Sequence, residues 1–421
     1  MSIAALSLSA LAVAVTVSCI TRLNVGLLSI ALAWLIGVYV AGMSLGDVMG
    51  GFPSSLFLTL AGVTLLFTIA QNNGTLERVA HQAVRTCRGH RGAVPIMFFL
   101  LTASLASIGP GNIASAALMS PMAMATATRA GIPYFLMAIM VGNGASAGSL
   151  SPFAPTGVIV NGIMSRLEMS GYELENYAYN FFAHAVVAFS GYFLFGGLKL
   201  FGRGARAAVA VEADAGPSSH EEPFEWRHWI TIAAITTLIV SVLSAGVNVG
   251  MGAFLVSVLL VLVGAGDDVE ALRRMPWGVI MMVSGVTVLV AVVEAAEGID
   301  LLAAGVARFS TRESVTAVVA FLTGVVSVYS STSGVVLPAL LPMVPGLAEQ
   351  LGANALAIAT SMNVGGHLVD VSPLSTTGAL CIASVPAAAS RDLFNKMLAW
   401  GLSMSVVGAI VCYLFFGLLL R

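Results

Sequence analysis

The segment GASAGSLSPFAPTG, Gly144 to Gly157, returns as GGHLVDVSPLSTTG, Gly365 to Gly378, in the same register 221 residues later (365 − 144 = 221). The offset holds over a longer stretch: Val94, Leu101, Thr102, Pro121, Met122, Gly131 and Ala138 recur as Val315, Leu322, Thr323, Pro342, Met343, Gly352 and Ala359. Upstream, Asn24, Val25 and Gly26 reappear as Asn248, Val249 and Gly250, and Gly62, Val63 and Thr64 as Gly285, Val286 and Thr287, with small indels taken up in loops. The pattern predicts two matched units of roughly 200 residues each, with any site where the copies meet.

Composition fixes the solvent. Hydrophobic residues are 58% of the 421, charged residues 9%, and mean hydropathy is +0.96, values expected of a polytopic membrane protein. A net charge of −2, with 18 Lys and Arg scattered between apolar runs, excludes a nucleic-acid footprint. Cys19, Cys87, Cys381 and Cys412 are isolated, without ligand-like spacing, and read as small apolar packers. Residues 2–20 lack a positive leading region and run straight into a second apolar stretch at Val25, so they read as the first membrane helix, not a cleaved signal.

Apolar stretches of about 20 residues, enough to cross a bilayer, fall near 2–20, 25–44, 54–72, 177–200, 229–247, 249–265, 277–296 and 397–420. Two more, 132–165 and 354–388, are interrupted by the repeated motif. A further pair, 93–128 and 314–348, is too long for one helix and breaks at GPGN (Gly109 to Asn112) and SSTSG (Ser330 to Gly334), as expected of re-entrant hairpins. Backbone that leaves helical geometry at membrane depth must be shielded by protein or line a wet cavity, because lipid cannot satisfy it. The expected architecture is an all-α polytopic membrane protein with two inverted-topology repeats, 1–202 and 229–421, each of five crossings plus one hairpin. The polar stretch 203–228, containing AVEADAGPSSHEEP, reads as a solvated cytoplasmic linker. Residues 75–92 and 299–312 read either as short surface helices bracing the hairpins or as ordinary connectors. With residues 75–92 in the cytoplasm, only Arg166, Arg308, Arg312 and Arg421 of the 18 basic residues fall outside, which places both termini outside, in a bacterial inner membrane.

The interrupted segments carry few charges. Arg129 is the only charged side chain between Ala93 and Ser165, and Glu349, His367 and Asp370 are the only acidic, basic or histidine side chains between Ser314 and Ser390. Hydroxyls, an amide, backbone carbonyls and helix ends can still bind ions: positive helix N-termini suit an anion, and unwound carbonyls with Ser/Thr oxygens suit sodium. The first tip offers Ser107, Gly109, Gly111 and Asn112. The second offers Ser330, Thr332 and Ser333, with Ser333 at the position equivalent to Asn112. Together with Gly144, Gly365 and Asp370, the residues Ser107, Gly109, Asn112, Ser330 and Ser333 are the candidate sodium ligands. Gly111, Asn112, Ser151, Thr156, Thr332, Ser333, His367, Ser372 and Thr377 are the candidate substrate contacts. Asp370 and His367 stand where the first copy has Ser149 and Ser146. Asp370 can hold a cation, carry a proton or pair with His367; His367 can donate to an anion, titrate near neutral pH or pack as a neutral ring. His184 reads as structural or interfacial.

The opening TRLNVGLLSIALAWLIG (Thr21 to Gly37), the paired hairpins and the SPxxxTG breaks together resemble the malonate and dicarboxylate carriers of the MatC type, within the ion-transporter superfamily that includes the divalent-anion/sodium symporters. The resemblance spans nearly the whole chain. It implies a homodimer, a scaffold and a mobile transport domain, and elevator-like movement of a small dicarboxylate with co-transported sodium. Those symporters carry Ser-Asn-Thr at each tip, with the Asn nine residues before a proline. Here Asn112 precedes Pro121 by nine and Ser333 precedes Pro342 by nine, but the triplets have become Gly111-Asn112-Ile113 and Thr332-Ser333-Gly334. Ser151, Thr156, Ser372 and Thr377 match the broken-helix part, in the sodium half-sites or flanking the anion. The alternatives are proton coupling through Asp370 or His367, and a cation/proton antiporter using Asp370. No enzyme is expected: there is no nucleophile and base at telling spacing, no metal-ligand cluster and no nucleotide motif.

Overall fold

A computed structural model describes residues 2–21, 23–86, 91–201 and 224–419, which are helical nearly throughout and contain no strand. Residues 203–223 of the expected linker, Cys87, and Arg22, Arg88, Arg203, Arg206 and Arg421 from the charge argument lie outside the described residues.

The first half runs through α1 (Ile3–Ile20), α2 (Val25–Tyr39), α3 (Leu45–Gly50), α4 (Ser54–Asn72), α5 (Thr75–Thr86), α6 (Ala93–Ile108), α7 (Gly111–Ala130), α8 (Tyr134–Gly148), α9 (Pro155–Arg166) and α10 (Glu173–Leu194). The second runs through α11 (Trp226–Ala245), α12 (Val249–Leu262), α13 (Asp268–Arg274), α14 (Trp277–Ala295), α15 (Gly298–Ala307), α16 (Val315–Ser327), α17 (Leu337–Leu340), α18 (Val344–Leu351), α19 (Ala355–Leu368), α20 (Thr376–Ala383) and α21 (Ala387–Cys412). Five helical stretches among the described residues are long and apolar enough to cross a membrane: Leu45–Asn72, Trp226–Ala245, Trp277–Ala295, Thr332–Leu351 and Ala387–Leu418. The described residues are those of an all-helical integral membrane protein.

Matched residues start matched helices. Asn24 Oδ1 accepts from the Gly26 backbone N–H at 3.0 Å and opens α2, while Asn248 Oδ1 accepts from Met251 at 3.1 Å and opens α12, each relieving one unpaired first-turn donor. The short helices α3 and α13 were not expected. Both are held by local caps, a Ser44–Asp47 capping box and Asp267 Oδ1 accepting from Glu270 N–H at 2.9 Å. α11 begins at Trp226, inside the stretch expected to be linker, because the Glu225 N–H donates to His228 Nδ1 at 2.9 Å and His228 Nε2 lies 3.0 Å from Asn73 O.

Glycines knit the halves together. A Cβ on Gly26 of α2 would lie 2.2 Å from Met281 O of α14, and one on Gly285 of α14 would lie 2.2 Å from Gly26 O. Reciprocally, a Cβ on Gly62 of α4 would meet Gly250 O of α12 at 2.3 Å, and one on Gly250 would meet Thr59 Cα at 2.4 Å. Gly26 and Gly250 are sequence equivalents, as are Gly62 and Gly285, so equivalent positions make equivalent contacts across the halves. Close backbone approach at small residues supplies the dispersion contact that apolar burial alone cannot give between helices in lipid. Buried side chains form two clusters. One joins Leu11, Val25, Leu66, Ala253, Leu289 and Ala303 of α1, α2, α4, α12, α14 and α15; the other joins Phe98, Met124, Leu136, Tyr192 and Leu393 of α6, α7, α8, α10 and α21.

Candidate functional site: two hairpin tips on two broken helices

At the first tip, α6 stops at Ile108 and the chain turns through Gly109 (φ 149°) and Pro110 into α7, whose first residue, Gly111, has φ 76°. Both backbone angles favour glycine. A Cβ on Gly109 would also lie 1.9 Å from the Phe67 ring of α4, so this turn admits no side chain there. Ser107 Oγ donates to Ala103 O at 2.7 Å and lies 2.8 Å from the Tyr177 hydroxyl of α10. Ser151 Oγ donates to Ser107 O at 2.7 Å, and the Gly111 Cβ position is 3.0 Å from Pro155 Cδ. The first tip therefore sits on the first break, with half-buried Asn112 in the opening turn of α7.

The SPxxxTG motif folds the same way twice. Ser151 O accepts from Ala154 N–H at 2.9 Å and Ser151 Oγ from Phe153 N–H at 3.4 Å; Ser372 O accepts from Ser375 N–H at 3.1 Å and Ser372 Oγ from Leu374 N–H at 3.2 Å. A Cβ on Gly157 would lie 1.9 Å from Ser151 O, and one on Gly378 1.9 Å from Ser372 O. The glycine of the motif is thus required by the return of the chain over its own serine carbonyl. Thr156 and Thr377, in the first turns of α9 and α20, are buried. Gly144 and Gly365 take a packing role: their Cβ positions lie 2.6 Å from Phe99 O and 2.3 Å from Ala320 O, themselves an equivalent pair (320 − 99 = 221). Each broken helix thereby lies flat against the first helix of its own hairpin.

The second tip differs from the first. After α16 the chain opens over 328–331 and then winds through a wide π-type turn, Thr332–Val336, into α17. Thr332 Oγ1 donates to Asp370 Oδ1 at 2.9 Å and lies 3.4 Å from Gly366 O; Asp370 O in turn accepts from the Ser375 hydroxyl. The alternative in which Asp370 pairs with His367 is not what forms. His367 Nδ1 lies 2.8 Å from Asn363 O, one helical turn back, and that local contact fixes the ring while the carboxylate is taken by the hairpin. His367 is fully buried, with no partner found for Nε2. Ser327 Oγ, also buried without a partner, faces Gly366, so Ser327, Thr332, the Gly366 carbonyl and Asp370 gather hard oxygen atoms with one carboxylate charge. Oxygen donors of this kind suit an alkali cation. Ser330 and Ser333 are half-buried on the same tip. At the equivalent positions of the first copy stand Gly111 and Ser149, so the carboxylate belongs to one copy only.

The two hairpins also cross over. Ser120 of α7 places Oγ 3.4 Å from Cys381 Sγ of α20, and the second hairpin packs through α17 on α9. The Gly142 Cβ position of α8 lies 2.8 Å from Val371 Cγ1 in the second break. Each hairpin therefore touches its own break and the helix beyond the other's. Tips and breaks form one continuous assembly.

One polar feature was missed from the sequence. Asn176, Asn180 and His184 recur every fourth residue on one face of α10, all fully buried. Asn176 Oδ1 lies 3.1 Å from both Thr360 Oγ1 and Asn363 Nδ2 of α19, Asn180 Nδ2 donates to Ser146 O of α8 at 2.9 Å, and His184 Nδ1 lies 3.1 Å from Asn143 Oδ1. α10 is a polar spine joining the two broken helices. The Asn-x3-Asn-x3-His spacing in an apolar run was the available signal.

Residues 1–149 match the family model described as the N-terminus of the dicarboxylate carrier protein MatC. Among solved structures, the fold is shared with the Alcanivorax borkumensis YdaH transporter, at a TM-score of 0.53 and 13% identity, covering 92% of this chain and 88% of that one. No curated protein matches the chain. The family model covers residues 1–149 of the 421, and at 13% identity the solved structure shows a shared fold.

Proposed function

We propose that the chain is a secondary transporter that carries a small dicarboxylate, such as malonate or a C4-dicarboxylate, together with sodium, bound between the two hairpin tips. The family match over residues 1–149 supports the substrate class. The observation that carries the site is the oxygen set at the second tip, Thr332, the Gly366 carbonyl and Asp370, in a region with no Lys or Arg. A dianion entering such a site needs cations and helix dipoles to offset its desolvation. Coupling follows from that need.

In this reading Asn112 and Ser333 at the tips and Ser151, Thr156, Ser372 and Thr377 at the breaks surround the anion, and Ser107, Ser330 and Asp370 contribute to the cation sites. Transport in this reading proceeds by an elevator-like displacement of a mobile transport domain against a scaffold. A homodimer in a bacterial inner membrane with both termini outside completes the proposal.

The test is uptake into proteoliposomes of malonate, succinate and a monocarboxylate, each with sodium or potassium outside. Dicarboxylate uptake that requires sodium is the expected result. Equal uptake in potassium, driven by a pH gradient, would transfer coupling to a proton on Asp370 or His367; sodium flux without any organic anion would make the protein a cation/proton antiporter.

A further inference from the structure

A cavity of about 500 Å3 opens beside the first break. Its lining includes Ser54 and Ser55 at the start of α4, Asn161 and Arg166 of α9, and Pro152 of the break. The Arg166 guanidinium makes no hydrogen bond or ion pair with the described residues; the Glu173 carboxylate also lines the cavity, and its Oε1 accepts from the Gly171 N–H at 3.1 Å. Asn161 Oδ1 is buried without a partner, and turning the amide over presents its NH2 group in its place. The first turn of α4 has no side-chain cap, since its N-cap is Pro53.

This lining is one-sided. Asn161 and Arg166 correspond to Ile382 and Ala387 in the second copy, and Ser54 and Ser55 to Trp277 and Gly278 (277 − 54 = 223). Trp277 Nε1 donates to Leu272 O at 2.7 Å, so an indole is pinned where the first copy has a serine. These polar lining groups therefore belong to one copy only.

We infer that this cavity is a capture site for carboxylate anions, where Arg166 supplies the charge and Ser54, Ser55 and Asn161 the hydrogen bonds before the anion passes Pro152 to the break. A fixed cation at the mouth raises the local anion concentration without holding the anion in the charge-poor interior. The inference rests on the dicarboxylate reading for its ligand.

The test uses the full chain with Cys19→Ser and Cys87→Ser, carrying Ser55→Cys and labelled with an anionic or a cationic methanethiosulfonate. The anionic reagent should react about threefold to tenfold faster, with the preference lost in Arg166→Gln and kept in Arg166→Lys. Succinate should slow the labelling. Arg166→Gln should also raise the apparent KM for succinate by about the same factor from the Arg166 face alone, with the maximal rate unchanged and the effect shrinking in high salt. A labelling rate indifferent to reagent charge, a preference that survives Arg166→Gln, or no protection by succinate overturns the capture site. Wild-type liposomes that carry no dicarboxylate would instead sink the proposed function, and the labelling preference is read without transport.

Discussion

Thr332 Oγ1 and Asp370 Oδ1, 38 residues apart, meet at 2.9 Å and tie the second hairpin tip to the second break. Hydrogen bonds to a charged group contribute roughly 1.5–3 kcal/mol. On the proposed sodium coupling, Thr332→Val should lower the apparent sodium affinity by roughly tenfold or more, whereas Asp370→Asn keeps an acceptor for Thr332, removes the charge and should flatten the sodium dependence of uptake. Sodium titrations of initial rates check both, with a thermal midpoint near wild type in Asp370→Asn showing that the fold is intact.

The return of each break over its own serine carbonyl leaves no room for a methyl group. Gly157→Ala and Gly378→Ala should each destabilise the protein by more than about 2 kcal/mol, and by similar amounts, since both Cβ positions lie 1.9 Å from backbone oxygen. Gly305→Ala in α15, where nothing lies within 4 Å, should be neutral or stabilising by roughly 0.5–1 kcal/mol. Melting curves in detergent compare the three.

At the first tip the obstacle is divided between a side chain and the backbone. Gly109→Ala should abolish uptake, because its methyl group would enter the Phe67 ring and its φ of 149° disfavours any side chain. Adding Phe67→Ala should restore only part of the activity, since the backbone strain, on the order of 1–3 kcal/mol, persists. Full restoration would show that the ring alone excludes the side chain.

The polar spine should behave as a network. Asn176→Leu leaves Thr360 and Asn363 facing an apolar group, a loss of about 1–3 kcal/mol for each stranded partner. Replacing Thr360 by Val and Asn363 by Leu in the same chain should recover part of that loss, as a double-mutant analysis of melting would reveal.

Breaks were readable from residues whose backbone demands are absolute. GPGN marked the turn at Gly109, and SPxxxTG marked two breaks that fold alike. Partner choice was less legible. Asp370 is paired by a threonine 38 positions away, which spacing cannot reveal, while His367 is held by a carbonyl one turn back. The spine on α10 hid because three polar residues in an apolar helix signal little until the helix on each side is known. α11 began early for a similar reason: His228 finds Asn73 in the other half.

The exchanged glycine contacts, Gly26 with α14 and Gly62 with α12, bear on how the protein is made. α4 leaves the ribosome 188 residues, and α2 259 residues, before the helices that cover their bare backbone (250 − 62 = 188; 285 − 26 = 259). Until the second half is made, the grooves at Gly26 and Gly62 lack the backbone that fills them in the finished chain.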